Sequence, residues 1–265
     1  MPQLVPPSPL VETPRGPTVS DAIFEALYRQ VVTVELPPGM RLSEAEVAKA
    51  MGVSRQPVRD AFWRMSKLGL LSVRPQRATT VTRISTQAVM RARFVRTALE
   101  VETLMLAAGR FGAAEFSELD AILAEQAQAI VADERERFHL LDDAFHRRIG
   151  ALAGVAFVWD LIRENKAHTD RVRLLSLSSG AELALADHRA ILDALRAGDT
   201  EGAAMAMRIH LGRISEILAR IREEHGDYVA DEEAGSEPTA PEPTEGVRRG
   251  GRRSRAGEAY QPPRA

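Results

Sequence analysis

Two helix-start signals that stand close together on the chain restrict the fold more than any other feature. Ser43 begins a capping-box pattern, and Gly52 is placed to end the short helix that follows. Ser54 then begins another helix, with Pro57 in its first turn, where a missing N–H group costs little. A short helix, a tight turn and a second helix predict a helix-turn-helix unit.

The segments on either side of this unit extend the prediction. Ile23, Leu27 and Val31 repeat at helical spacing and predict a helix before it. After it, the apolar runs 71–73 and 79–81 predict the two strands of a hairpin. Residues 18–84 therefore predict a winged helix-turn-helix, in which the second helix of the turn motif offers its N-terminal residues to the DNA major groove.

The charge is distributed unevenly, although the formal net charge is only −2. Within residues 55–83 there is one acidic residue, Asp60, and there are seven basic residues. The basic residues are Arg55, Arg59, Arg64, Lys67, Arg74, Arg77 and Arg83. We expect Arg55, Gln56 and Arg59 to lie opposite the apolar stripe of their helix, near its N-terminal end. This pattern favours a polyanionic partner such as double-stranded DNA. A solvated basic face, or a winged helix that binds protein, remains the alternative.

The rest of the chain divides by composition. Residues 1–17 are rich in proline, and residues 226–265 are first acidic and then rich in arginine, so we expect both ends to be disordered. The arginine-rich end can contact DNA non-specifically or simply solubilise the protein. Between them, residues 85–225 have helical spacing and predict an all-α bundle. The candidate helices are 86–111, 115–132, 134–152, 155–166, 168–176, 181–197 and 200–224. The expected fold class is mainly α.

Composition also excludes several classes of protein. The chain has no cysteine, which excludes disulfide scaffolds, thiol catalysis and thiolate zinc sites. No apolar run approaches the roughly 20 residues that span a bilayer, and the N-terminus lacks the pattern of a signal peptide. We therefore expect a cytoplasmic protein without a membrane partner.

Four polar residues fall on the inner faces of the predicted bundle helices: Asp142, His146, His188 and His210. Burying them without partners would be costly, and one shared divalent ion would satisfy all four. Neutral imidazole suits zinc, our first choice, and also nickel, manganese or iron. Each histidine can instead be an ordinary hydrogen-bonded core residue. His139 and Asp143 form a rival pair on a more polar face of the same helix.

The stretch 36–61, LPPGMRLSEAEVAKAMGVSRQPVRDA, resembles the signature of the GntR family of bacterial transcriptional regulators. The resemblance implies that Ser54, Arg55, Gln56 and Arg59 contact DNA bases from the recognition helix. It also implies a backbone contact at Arg41 and contacts at the wing tip from Gln76 and Arg77. The chain departs from the family at three positions: Val34 replaces a usual glycine, Asp60 a usual glutamate, and Ala78 the usual glycine of the wing.

Residues 85–220 resemble the FCD effector domain of the FadR subgroup, on the segments LDDAFH (141–146), DHRAILDALRAGD (187–199) and MRIH (207–210). In metal-binding members an Asp and three His ligate the ion, and the matching positions are Asp142, His146, His188 and His210. Small effectors, often carboxylates, bind beside the metal. Arg96 and Arg173 resemble inward arginines that can hold a carboxylate, and ion pairing, for example with Glu100, is the alternative.

The resemblance implies a non-enzymatic, metabolite-responsive regulator that binds a palindromic operator as a homodimer, usually as a repressor. Two alternatives stay open. In one, the metal is purely structural and no effector binds. In the other, the protein is a metal-dependent hydrolase, although no further inward residue has the spacing of a general base or nucleophile.

Overall fold

The computed structural model describes residues 18–74 and 78–230, with the backbone alone at 177–179. The N-terminal part, which we call the head, starts with helix α1 (Val19–Val32), whose first turn is closed by a capping box between Thr18 and Asp21. Helix α2 (Glu44–Met51) is capped by the Ser43 side chain and ends at Gly52, which has the left-handed backbone that glycine favours. Helix α3 (Arg55–Lys67) follows after one tight turn. The predicted helix-turn-helix is present.

A small antiparallel sheet completes the head. Its strands are β1 (Arg41–Leu42), β2 (Leu71–Ser72) and β3 (Thr79–Val81), in the order β1-β3-β2. Thr80 of β3 lies opposite both Arg41 and Ser72. The sequence predicted β2 and β3 but not β1, since two residues carry no period that could be read. The wing-tip residues 75–77 lie outside the described residues.

The second part of the chain is an all-α bundle, which confirms the predicted fold class. Its helices are α4 (Thr86–Ala107), α5 (Ala113–Val131), α6 (Arg135–Leu152), α7 (Val158–Asn165), α8 (Ala167–Arg196), α9 (Thr200–Gly212) and α10 (Ile214–Glu224). Leu104, Leu119, Phe145, Ile191 and Ala203 are among the fully buried residues of the core between them. No helix in the described residues has the length and apolarity to cross a lipid bilayer.

Two of the predicted helix boundaries are wrong. The predicted helices 168–176 and 181–197 are one continuous helix, α8, because Gly180 weakens a helix without ending it when the flanking turns are packed. Conversely, the predicted helix 200–224 is interrupted at Arg213. There the backbone stays near the α region, but the N–H group is shared between the carbonyls of Ile209 and His210.

The expected disorder from residue 226 is also wrong for residues 226–230. Residues Gly226–Tyr228 form a short 3-10 helix, and strand β5 (Val229–Ala230) pairs in parallel with β4 (Ile84–Ser85). Val229 is 4% exposed and packs in one cluster with Ile84, Val89 and Ile221. A single buried valine in an acidic segment gave no periodic signal. The remainder of the tail lies outside the described part of the chain.

Candidate metal centre and DNA-binding surface

Three helices of the bundle bring the four predicted ligands together in its core. Asp142 and His146 come from α6, His188 from α8 and His210 from α9, and all four residues are buried. One ligand atom from each lies within 4.8 Å of the others. His188 Nε2 is 3.5 Å from Asp142 Oδ1, and His146 Nε2 is 3.2 Å from His210 Nε2. The spacing of Asp142 and His146, one helical turn apart, places both on the same face.

The other ring nitrogen of each histidine points away from the centre, toward an oxygen atom. His146 Nδ1 lies 2.5 Å from Glu100 Oε2, and His188 Nδ1 lies 3.0 Å from Gln126 Oε1. His210 Nδ1 lies 3.6 Å from Asp187 Oδ2. In the described part of the chain, Nδ1 of His146 and Nδ1 of His210 have an oxygen atom nearby but no hydrogen bond of good geometry. His188 Nδ1 does bond to Gln126, and a proton on Nδ1 leaves Nε2 of that ring with a free lone pair. This arrangement is typical of histidines that ligate metals.

Without an ion, the polar atoms at the centre are poorly satisfied. His188 Nε2 is buried and has no hydrogen-bond partner among the described residues. If Nδ1 carries the proton in both His146 and His210, their facing Nε2 atoms are two acceptors and cannot bond to each other. Three imidazole nitrogens and one carboxylate are a donor set that suits a divalent transition ion. The residues present therefore fit a metal.

The electrostatics of the centre favour the protonation states that bind metal. Burial opposes the ionisation of Asp142, but Arg173 and the three histidines hold the pKa of this carboxyl well below its usual range. Burial, with the neighbouring His210, lowers the pKa of His188 well below the ordinary value. Burial lowers the pKa of His210 to about 4. An anionic carboxylate and these neutral imidazoles are the ligating forms.

The two arginines predicted to hold an effector differ in position. An N–H of Arg173 on α8 donates to Asp142 Oδ2, and Arg173 Nη2 lies 3.3 Å from His210 Nε2. Arg96 on α4 is 2% exposed and donates from Nε to Glu100 Oε1 over 2.6 Å. The structure thus brings Arg173 to the centre, whereas Arg96 reaches it only through Glu100, in the ion pair that was the alternative.

A cleft opens from the centre toward solvent. Its empty volume, including space open to solvent, is about 480 Å³. Asp142, His210 and Arg173 line its inner end, and Ser176 and Arg213 add polar groups to its wall. Arg213 is held by Asp187 through contacts of 2.5 and 2.8 Å. The cleft therefore borders the ligand cluster.

The predicted DNA-reading residues lie at the exposed leading end of α3. Ser54 precedes the helix without a side-chain capping bond, which leaves its hydroxyl available. Arg55, Gln56 and Arg59 are exposed. Gln56 Nε2 donates to Asp60 Oδ1 over 2.9 Å, and Arg59 Nε lies 3.3 Å from Glu44 Oε2. These exposed contacts are weak and can be exchanged for DNA contacts.

The other predicted DNA contacts lie on the sheet and its wing. Arg41 is exposed on β1, whereas Gln76 and Arg77 lie outside the described residues. Sequence reasoning did not note the exposure of Trp63, whose side chain is 61% exposed on α3 one turn after Arg59. It also missed Gln126 and Asp187 as partners of the histidines. Asp187 sits directly before His188, but Gln126 gave no signal because an isolated amide on α5 belongs to no motif.

Two family models match the chain. The model of bacterial regulatory proteins of the gntR family matches residues 19–81, and the FCD domain model matches residues 92–213. The chain is similar to the HTH-type transcriptional repressor RspR of Escherichia coli K12, at 37% identity over 84% of this chain and 99% of the relative. It is also similar to a probable D-xylose utilization operon transcriptional repressor of Paenarthrobacter nicotinovorans, at 29% identity over 73% of this chain and 86% of the relative.

Solved structures share the fold. E. coli McbR/YncC has a TM-score of 0.65 at 22% identity and covers 77% of this chain and 98% of its own. A putative GntR transcriptional regulator from Rhodococcus sp. RHA1 has a TM-score of 0.64 at 21% identity, over 76% of this chain and 97% of its own. At these identities the likeness concerns the fold alone.

Proposed function

Because this chain belongs to the gntR family of bacterial regulatory proteins and carries an FCD domain, we propose that it is a metal-dependent, metabolite-responsive repressor that binds a palindromic operator as a homodimer. That it is a transcriptional regulator and not an enzyme follows from its relatives. A regulator of bacterial operators works in the cytoplasm, where we place it. The metal, the effector, the dimer and the direction of control are our proposal.

One observation carries the metal and effector parts of the proposal. Three imidazole Nε2 atoms and a carboxylate converge inside an apolar bundle, an oxygen atom lies near the other nitrogen of each imidazole, and a cleft leads to them. Asp142, His146, His188 and His210 would hold one divalent ion, with zinc preferred and nickel, manganese and iron as alternatives. When bound, such an ion supplies a Lewis-acidic position that a carboxylate can share.

The residues around the cleft define the class of effector. Arg173 offers a planar set of N–H donors, which is suited to a carboxylate. Ser176 adds a polar group nearby, while Phe138 and Ile217 give the wall an apolar part. A small organic acid with a short apolar body matches this lining. Arg96 bonds through Nε to Glu100, which in turn lies against His146, so we assign Arg96 a positioning role rather than contact with the effector.

A homodimer is supported by an apolar face on α4 and α9. Phe94 is 75% exposed, and Met90, Leu106, Met205 and Ile209 are further large apolar side chains exposed on these two helices. Arg91 and Glu102 flank the α4 part of the face. If α4 packs antiparallel against its copy with the crossing point between residues 96 and 97, Arg91 of one chain faces Glu102 of the other. A self-complementary patch of this kind suits a two-fold interface, which would present two α3 helices to a palindrome.

Metal content and acid binding test the proposal together. Purified wild-type protein should contain close to one zinc, nickel, manganese or iron ion per chain, and His188→Ala should lose it together with thermal stability. His139→Ala is the matched control, because this histidine lies on α6 outside the ligand set, and it should keep the metal. A panel of small carboxylic acids should raise the melting temperature of the metal-loaded wild type, and Arg173→Ala should abolish that rise.

The outcomes separate the alternatives. Wild-type protein that stays metal-free after incubation with these ions would refute the centre. A melting temperature that falls with chelator but responds to no acid would favour the purely structural metal. Hydrolase chemistry is set aside because the relatives are regulators and the operator-reading head has no use in catalysis.

A further inference from the structure

A buried polar network joins the head to the bundle, outside the metal centre. The Tyr28 hydroxyl on α1 donates to Asp170 Oδ2 on α8 over 2.7 Å. Lys166 Nζ lies 2.8 Å from Asp170 Oδ1 and 2.9 Å from Asp143 Oδ2 on α6. We call Tyr28, Asp143, Lys166 and Asp170 the docking network. His139, the other half of the rival pair on α6, faces the same carboxylate, with Nε2 3.6 Å from Asp170 Oδ1.

The network is shielded from water, so its geometry matters. Lys166 and Asp170 are 3% and 1% exposed. Charges in such a place are tolerated only when each has its partner at close range. The partners of Asp170 are Lys166, His139 and, from the head, Tyr28. Lys166 lies between the carboxylate of Asp143 on α6 and that of Asp170 on α8. A shift of α6 against α8 would therefore disturb the group that holds Tyr28.

The same end of α8 makes further contacts with the segment that joins the head to α4, and with the head itself. Arg171 Nη1 donates to the carbonyl of Thr82 over 2.9 Å, and the N–H of Ser85 donates to His168 Nδ1 over 3.3 Å. Ala167 packs in the apolar core of the head with Met65 and Leu70. The head therefore packs against the first turns of α8.

Two helices that contribute to the network, α6 and α8, also carry three of the four proposed ligands. On α6, Asp143 directly follows the ligand Asp142. On α8, Asp170 lies one turn before Arg173, which contacts Asp142. We infer that the docking network is the coupling element of this regulator: it transmits ligation at the metal centre to the placement of the DNA-binding head. This inference rests on the proposed metal centre.

Close packing makes such a transfer effective. The bundle core is filled by large apolar side chains, so a change in the separation of α6 and α8 moves whole helices instead of being absorbed. Drawing Asp142 and His188 to one ion pulls directly on these two helices. The coupling must be reciprocal: operator binding should also change the affinity for the metal.

The test compares operator affinity of zinc-loaded and chelator-stripped full-length protein, measured by fluorescence anisotropy at fixed salt. The wild-type ratio of the two affinities should differ from one by about 5- to 150-fold, the usual range for coupled sites. Tyr28→Phe and Asp143→Asn should bring the ratio to within about twofold of one. Asp160→Asn makes the same chemical change at an exposed ion pair on α7 and should keep the wild-type ratio.

Tyr28→Phe is the deciding variant, because Tyr28 lies in the head and its loss removes no metal ligand. Zinc content of every protein is measured separately. The coupling role is overturned if zinc-bound wild type shows no change in operator affinity on stripping. It is also overturned if zinc-bound Tyr28→Phe shows the same change as the wild type. Neither result affects the metal centre. Wild-type protein that binds neither zinc nor nickel, manganese or iron overturns the proposed centre itself, and the coupling role with it. Amide exchange gives a second readout: stripping zinc should change protection at residues 82–85 and 166–171 of the wild type but not of Tyr28→Phe.

Discussion

Val34 has a strained backbone directly after α1. Its φ is 65°, in the left-handed region that β-branched residues rarely adopt. The resemblance to GntR regulators places a glycine there, and the observed backbone gives the physical reason. We expect Val34→Gly to stabilise the protein by about 1 kcal/mol, since relief of the strain outweighs the greater chain entropy of glycine. Urea denaturation of the wild type and the variant measures this.

Val34→Ala is the matched control for this substitution. Alanine removes the branched side chain but keeps the Cβ atom that clashes at positive φ, so it should gain less than glycine. A Val34→Gly protein that is less stable than the wild type would show that contacts of the valine side chain outweigh the strain.

His168 makes the stability of the protein depend on pH. Burial, with a contribution from Arg171, lowers its pKa from 6.5 to about 4 in the folded chain. The folded state thus favours the neutral ring, whose Nδ1 accepts from Ser85 N–H. The stabilisation is complete above pH 6.5 and is lost as pH falls from 6.5 toward 4. Between about pH 7.5 and about pH 5 this one group should cost about 2 kcal/mol.

A non-titrating variant isolates this contribution from the other histidines. The free energy of unfolding of wild type and His168→Gln is measured by urea denaturation at both pH values, with chelator present. The loss between the two pH values should be smaller in His168→Gln by about 2 kcal/mol. Equal losses in the two proteins would contradict the role of His168.

At the scale of elements, start and stop signals predicted the head better than the bundle. Ser43 and Gly52 delimit α2 as expected because capping is a local property of a few residues. The length of α8, in contrast, is not determined by a few neighbouring residues. Its continuation through Gly180 depends on packing by turns far apart in sequence, and strand β5 depends on the distant Ile84.

The recognition helix α3 should read DNA with its leading end. Arg55→Ala and Arg59→Ala should each lower operator affinity by about 1–3 kcal/mol, because exposed arginines there can reach guanine in the major groove. Both variants should keep the wild-type helical content, since neither residue is buried. Electrophoretic shifts on operator and on unrelated DNA of equal length, at one salt concentration, measure the preference.

Lys67 supplies the control, because it is exposed at the other end of α3. Lys67→Ala should keep the preference for operator over unrelated DNA, whatever its effect on overall affinity. Unchanged operator preference in both arginine variants would contradict the assignment of α3 as the reading helix.

At the scale of the whole molecule, the sequence predicted the four proposed ligands but not the groups around them. Asp142, His146, His188 and His210 stood out because polar residues interrupt apolar stripes of three helices. The docking network gave no such signal, since Lys166 and Asp170 look like ordinary surface charges in the sequence. They are buried by elements far apart in the sequence, since Lys166 contacts Asp143 of α6 and Asp170 contacts Tyr28 of the head.

The C-terminal tail should matter for the fold only up to residue 230. Removing residues 231–265 should preserve dimerisation and thermal stability, and should weaken non-specific DNA binding with a smaller salt slope if the terminal arginines contact phosphate. Removing residues 226–265 also deletes Val229, which is buried against Ile84. That shorter chain should lose about 2 kcal/mol of stability, the usual value of one buried valine.

Sedimentation and urea denaturation of the two truncated proteins decide between these expectations. Phe94→Glu is the reference for a broken dimer, because it puts a charge on the most exposed apolar side chain of the proposed α4–α9 face. It should sediment as a monomer, and both truncated proteins as dimers. A monomer on removal of 231–265 would place part of the interface in the tail. Equal stability of the two truncated proteins would mean that β5 contributes nothing to the fold, against the burial of Val229.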